Sequence, residues 1–187
     1  MRWIAVLPVI VISTACVHHP KYPDGWSSLK NSIGLNCTDL SGVYEGREID
    51  GTDSRLTLAY MLERQNDQST SNFRRFDVNR LTDVRLTIAL PQVTAELLAE
   101  DEVIGSIDLG APKRSAACDG HVLKLRQLTS AAAPFAFGVG RYSTFLYRAS
   151  DGSLVMRAGA DDTIVALIVP IAASEFSWYR FAPTLKR

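Results

Sequence analysis

Strict alternation of apolar and polar side chains over residues 82–90 is the feature that most limits the folds open to this chain. Val84, Leu86 and Ile88 recur at every second position, and the residues between them are polar. A period of two places successive side chains on opposite faces of a β-strand, so the segment predicts a half-buried strand. The apolar face of such a strand has to be covered by a second layer of structure.

Similar short segments, separated by turn-forming residues, fill most of the chain. Asp-Gly pairs at 119–120 and 151–152 and an acidic group at 100–102 mark turns, since such residues tolerate the backbone angles of tight hairpins. The predicted strands lie within residues 40–49, 82–90, 93–98, 103–109, 122–125, 141–149, 154–157, 163–169 and 176–181. Strands in hairpin order predict an antiparallel sheet over residues 82–182.

Residues 53–64 depart from this pattern. Leu56, Ala59 and Tyr60 have helical spacing behind a possible Asp53 or Ser54 cap, which predicts a helix, although the alternate apolar residues of the segment also fit a strand. The predicted fold is therefore all-β with at most one short helix. An antiparallel meander of this kind forms a barrel-like, lipocalin-like or two-sheet sandwich domain.

The first residues of the chain have the composition of an export signal. Arg2 precedes an unbroken apolar run, residues 3–12, which is too short to cross a bilayer but suits a signal peptide. The run leads into Ser13-Thr14-Ala15-Cys16. This ending resembles the lipobox of bacterial lipoproteins, although the family pattern prefers Leu at the position of Ser13. An ordinary secretory signal with an incidental cysteine is the alternative.

The resemblance implies cleavage before Cys16 and attachment of acyl chains, including palmitate, to that residue. It also implies a periplasmic protein like the small outer-membrane lipoproteins of Gram-negative bacteria, because Val17 stands where Asp retains lipoproteins in the inner membrane. The expected organisation is a signal peptide at 1–15, a lipidated Cys16 with a flexible tether to residue 36, and a single β-rich domain at 37–187. The tether is rich in Pro and Gly.

The three cysteines are consistent with this organisation. If Cys16 is acylated, Cys37 and Cys118 remain as a pair in an oxidising compartment, which predicts a disulfide. A zinc site is the competing interpretation of these two cysteines, but neither a CxxC motif nor a paired histidine accompanies them.

No motif identifies a catalytic, metal or cofactor site. The chain has 20 basic and 20 acidic residues, which removes the electrostatic case for a nucleic-acid partner. The His18-His19 pair has no third ligand nearby in sequence, so no metal ligands and no cofactor are predicted. Aromatic residues cluster at positions 142–147 and 176–181, where they either fill a β core or line a ligand cavity.

The leading hypothesis is a lipid-anchored, non-enzymatic envelope protein that binds the membrane through its acyl chains and contacts an envelope protein partner. The alternative is a carrier of an apolar small molecule, because Gly42-Val43-Tyr44 is similar to the Gly-x-Trp start of lipocalin barrels. A hydrolase ranks third. The alternation over 82–90 favours the first hypothesis, since Val84, Leu86 and Ile88 would fill the interior without polar groups to orient a ligand.

Overall fold

The computed structural model describes residues 17–18, 20–30, 36–49, 58–63, 80–110, 114–133, 136–166 and 169–184. Nearly all described elements are strands, as predicted. In chain order they are β1 (Val17–His18), a 3-10 helix (Cys37–Leu40), β2 (Gly42–Glu45), α1 (Leu58–Glu63), β3 (Asp83–Ala89), β4 (Gln92–Ala99), β5 (Glu102–Asp108), β6 (Arg114–Asp119), β7 (Val122–Ala133), β8 (Ala136–Arg148), β9 (Leu154–Ala166) and β10 (Val169–Phe181).

The strands form two sheets. The small sheet has the order β2-β3-β4-β5, and the large sheet has the order β1-β10-β9-β8-β7-β6. All neighbours are antiparallel except β1, a two-residue strand that pairs in parallel with β10. The prediction of an antiparallel arrangement after residue 82 is therefore confirmed for the described residues.

The core lies between the two sheets. Val84, Leu86 and Ile88 of β3 are all buried, so the alternation predicted the inward face of this strand correctly. They belong to one hydrophobic cluster with residues of the large sheet such as Leu146 and Met156. We refer to the opposite face of the large sheet as its outer face.

The turns follow the sequence signals, with one correction. Gly120 and Gly152 adopt left-handed backbone angles, with φ of 61° and 89°, in the turns that the two Asp-Gly pairs predicted. The separate strand predicted at 163–169 is wrong, because β9 continues through Asp161 and Asp162 to Ala166 and β10 begins at Val169. Asp161 and Asp162 look like turn residues in the sequence. They remain extended in the structure because both are paired with β8 and β10.

The helix predicted over 53–64 is present as α1, and residues 53–57 and 64 lie outside the described part of the chain. Leu58, Met61 and Leu62 are buried, so the helix covers part of the core. Its first amide, that of Leu58, donates to the carbonyl of Gly46 at 2.9 Å.

The two sheets are joined at one corner. After β10, the carbonyl of Ala182 accepts from the amide of Glu45 at 2.8 Å, and the amide of Thr184 donates to the carbonyl of Val43 at 2.9 Å. At the opposite side, β5 and β6 do not pair within the described residues. The arrangement is consistent with a two-sheet sandwich, one of the predicted alternatives. The described strands do not form the closed barrel that was another.

Candidate functional site

The structure describes two of the three cysteines singled out by the sequence. The sulfur atoms of Cys37 and Cys118 are 2.05 Å apart, so the predicted disulfide is confirmed and the alternative of zinc ligands is wrong. The bond joins the 3-10 helix to the end of β6. Cys16, the predicted lipidation site, lies outside the described residues, and its modification stays a prediction.

Residues 20–30, here called the N-terminal segment, lie against the outer face of the large sheet. The indole Nε1 of Trp178 donates to the carbonyl of Pro20 at 3.0 Å. The ring of Tyr22 packs edge-on against Trp178, with centroids 5.2 Å apart, and against Trp26, at 5.8 Å. Burial raises the pKa of the Tyr22 hydroxyl, and Arg180 nearby partly opposes this effect.

The end of this segment is fixed by backbone hydrogen bonds to the turn after β8. The amide of Lys30 donates to the carbonyl of Arg148 at 3.0 Å, and the amide of Ser150 donates to the carbonyl of Ser28 at 2.8 Å. Of the predicted tether, residues 20–30 therefore lie packed against the β-domain. Aromatic packing and these backbone bonds offset the conformational entropy lost on ordering.

A carboxylate links the N-terminal segment to the sheet. Asp151 accepts hydrogen bonds from the hydroxyl of Ser27 at 3.0 Å and from the amide and hydroxyl of Ser153 at 3.0 and 2.7 Å. It also forms an ion pair with Arg180, whose guanidinium lies 5.9 Å from the ring centre of Trp26. Partial burial of the Asp151 carboxyl opposes its ionisation, but the hydrogen bonds from Ser153, Arg180 and Ser27 outweigh burial and hold its pKa well below the usual range.

Next to this link, a cation lies among aromatic rings on the outer face. The register places Arg157 between Phe145 of β8 and Trp178 of β10. The guanidinium carbon of Arg157 is 4.5 Å from the ring centre of Phe176 and 5.7 Å from that of Trp178. These distances are within the range of cation–π attraction.

The aromatic cluster predicted from the sequence is thus divided between the two faces. Phe181 is buried in the core, whereas Phe145, Tyr147 and Trp178 pack on the outer face beneath or beside the N-terminal segment. Sequence reasoning missed Asp151 and Arg157, because the first looked like an ordinary turn residue and the second like a solvated strand residue. The alternation of Arg157 with the apolar Met156 and Ala158 of the same strand, both of which lie in the core, was the available signal.

The contacts of Asp151 and Arg157 hold the N-terminal segment and strands β8, β9 and β10 together. Within the described ranges, no three His, Cys, Asp or Glu side chains are placed to bind a metal ion jointly. No helix in the described part of the chain is long and apolar enough to span a membrane. Comparison with protein-family models, with curated proteins and with solved structures finds no match to this chain.

Proposed function

We propose that this protein is a lipid-anchored component of a Gram-negative cell envelope. Acyl chains on Cys16 would hold it at the periplasmic face of the outer membrane, where the β-domain acts as a non-enzymatic interaction or envelope-maintenance module. The apolar run at 3–12 and the small residues before Cys16 support export and lipidation. Val17 supports the outer membrane as the destination, by resemblance to the sorting pattern of such proteins.

One observation carries the proposal. The chain has three cysteines, and the disulfide between Cys37 and Cys118 leaves Cys16 as the single cysteine outside that bond. Disulfides persist in oxidising compartments such as the periplasm, where an unmodified odd cysteine would be a reactive liability. Acylation of Cys16 removes this liability at the residue where the signal sequence ends.

The packing of the domain favours an interaction module over a carrier of small molecules. Buried residues of both sheets, among them Leu86, Leu97, Leu125 and Leu146, form one cluster in which aliphatic side chains predominate. A specific ligand pocket normally contains several converging polar groups. The inward faces of β3 and β4 present buried apolar residues.

The proposal is tested by metabolic labelling with palmitate. The full-length protein should incorporate label, and globomycin, which blocks signal peptidase II, should cause a larger precursor to accumulate. Cys16→Ser should abolish the label. A mature protein that carries no fatty acid would refute lipid anchoring.

A matched control separates acylation from folding. Cys37→Ser/Cys118→Ser removes the other two thiols and should still be labelled, because the acylated residue is Cys16. Label that is lost from this variant but kept by Cys16→Ser would place the lipid elsewhere and contradict the proposal.

A further inference from the structure

One end of the large sheet is built from two adjacent segments that contain no charged residue and no histidine. These are the segments 127–140 and 163–174, whose described residues form the end of β7, the start of β8, the end of β9 and the start of β10. The register places Phe137 opposite Val165 and Val139 opposite Thr163. We call this part of the sheet, residues 128–133, 136–140, 163–166 and 169–173, the uncharged end.

Large apolar side chains are exposed at the uncharged end. Phe137 is 57% exposed and Val139 47%, while Leu128, which is 69% exposed, lies at the border of this end, opposite Arg141. They are three of the six large apolar residues that are exposed among the described side chains. Isolated apolar residues are common on protein surfaces, but a grouped set on adjacent strands marks an interaction site.

Charged residues border the uncharged end, first Asp162, which pairs with Gly140 and Ala173, and then the row in which the N-terminal chain joins the sheet. Arg141, Asp161 and Ser174 face one another across β8, β9 and β10, and the hydroxyl of Ser174 donates to Asp161 at 2.6 Å. Val17 pairs with Ser174 in this same row. Because β1 runs parallel to β10, which starts at Val169, the chain enters β1 from the side of the uncharged end.

We propose that the uncharged end docks into the surface of the lipid bilayer that anchors the protein. The inference rests on the proposed function, since lipid on Cys16 would lie one residue before Val17 and so next to this end of the sheet. Apolar surface that enters the interface adds to the binding supplied by acyl chains. The lipid anchor and the uncharged end would then hold the domain in one orientation.

The length of the uncharged end sets the greatest depth to which it could insert. Five residue steps separate Val169 from Ser174, which is about 17 Å of strand at about 3.4 Å per residue. One leaflet of a hydrocarbon core is about 15 Å thick. Among the described residues, the pairing of β7 with β6 ends at Gln127, and an edge whose backbone groups lack partners opposes deep burial in lipid. We therefore expect insertion at the boundary between headgroups and acyl chains, with no preference for anionic lipid.

The test uses spin labels on the mature acylated protein reconstituted into vesicles of phosphatidylethanolamine and phosphatidylglycerol. Val139→Cys places a nitroxide on the uncharged end, and Val103→Cys places one on β5 of the small sheet. Val139 and Val103 are matched, because they are 47% and 49% exposed. Relaxation by oxygen, which concentrates in lipid, is compared with relaxation by a water-soluble nickel complex.

The label at position 139 should be several-fold more accessible to oxygen relative to nickel than the label at position 103. This ratio should not change with the phosphatidylglycerol fraction. A second label, at Phe137→Cys, should give the same result, and peptide mapping should show the Cys37–Cys118 bond intact in each variant.

Three results would overturn the inference. Equal aqueous accessibility at positions 139 and 103 in protein that floats with vesicles would refute docking and leave lipid anchoring intact. Dipolar broadening at position 139 that grows with protein density would show that a second copy of the chain covers this face. Failure of the mature protein to float with vesicles would refute the proposed function and docking together.

Discussion

The Asp151 carboxylate connects three segments that are distant in sequence. It lies in the turn between β8 and β9, accepts a hydrogen bond from Ser27 of the N-terminal segment, and pairs with Arg180 of β10. Charged hydrogen bonds are stronger than neutral ones, but partial exposure of this carboxylate weakens them. Asp151 therefore contributes to stability only while it is ionised.

The pH dependence of unfolding should report this contribution. The pKa of Asp151 is lower in the folded protein than in the unfolded chain, so the ionised carboxylate stabilises the fold at pH values above the unfolded pKa of about 3.9. The contribution falls as the pH drops from about 5 toward the folded pKa. Between pH 5 and 3, wild-type protein should lose about 1 kcal/mol more unfolding free energy than Asp151→Asn.

Urea titrations at fixed pH values measure this difference. Asp24→Asn, which removes an exposed carboxylate from the same N-terminal segment, is the matched control. If the unfolding free energies of wild type and Asp151→Asn changed with pH in parallel, ionised Asp151 would not stabilise the fold as described.

At the scale of elements, strands with a strong pattern could be predicted and those without one could not. The alternation at Val84, Leu86 and Ile88 predicted β3 and its buried face. A strand with one buried and one exposed face has alternating apolar and polar residues, which can be recognised in the sequence. β6 was missed because Ser115, Ala116 and Ala117 carry no such contrast. β9 was divided wrongly because Asp161-Asp162 looks like a turn locally, whereas cross-strand pairing keeps it extended.

The docking of the N-terminal segment could not be predicted for a different reason. Its composition is that of a linker, and the residues that hold it are far away in sequence, as with Trp178 and Pro20, which are 158 positions apart. Pairing of Cys37 with Cys118 could be predicted because it needed only a count of the cysteines. Contacts that depend on tertiary placement leave no comparable local signal.

Gly159 is the element-scale feature that most constrains the large sheet. A Cβ atom at this position of β9 would lie 2.0 Å from the carbonyl oxygen of Glu175 and 2.7 Å from the Cα of Phe176. Both contacts are with the backbone of β10, which would have to move away. Gly159→Ala should therefore lower the unfolding free energy by about 1–3 kcal/mol or more, as overpacking does.

Gly42 provides the matched strand control. A Cβ atom there would be 3.4 Å from the ring of Tyr44, which is ordinary contact, so Gly42→Ala should change stability by less than about 0.5 kcal/mol. Chemical denaturation of both variants gives the comparison. Equal losses for the two substitutions would mean that β9 and β10 adjust to the added methyl group.

At the scale of the whole molecule, contacts outside the core also join the two sheets among the described residues. The chain passes from the large to the small sheet at the corner formed by Val43, Glu45 and residues 182–184. The 3-10 helix packs beside β3 and β8, and its Cys37 is bonded to Cys118 at the end of β6. The disulfide therefore fixes the chain that leads into the small sheet to the outermost antiparallel strand of the large one.

The last prediction concerns the stability that this bond supplies. A sequence separation of 81 residues between the two cysteines means that the bond closes a long loop in the unfolded chain. The chain-entropy model assigns about 4–5 kcal/mol to such a loop, most of it from restriction of the unfolded state. Reduction should therefore lower the unfolding free energy by a large part of this amount and shift the urea midpoint accordingly.

Two measurements separate the entropic effect from packing around the buried Cys37. Reduced wild-type protein keeps both sulfur atoms, so the unfolding free energy that it loses reports the cross-link alone. Cys37→Ala/Cys118→Ala also removes side-chain volume, and its unfolding free energy should fall by about 1 kcal/mol more. Reduced and oxidised protein that differ by less than about 1 kcal/mol would show that the unfolded chain is already compact between these positions. Because the predicted loss approaches the total stability of an ordinary domain, the domain should fold reliably only where the bond can form, as it could in the periplasmic location proposed above.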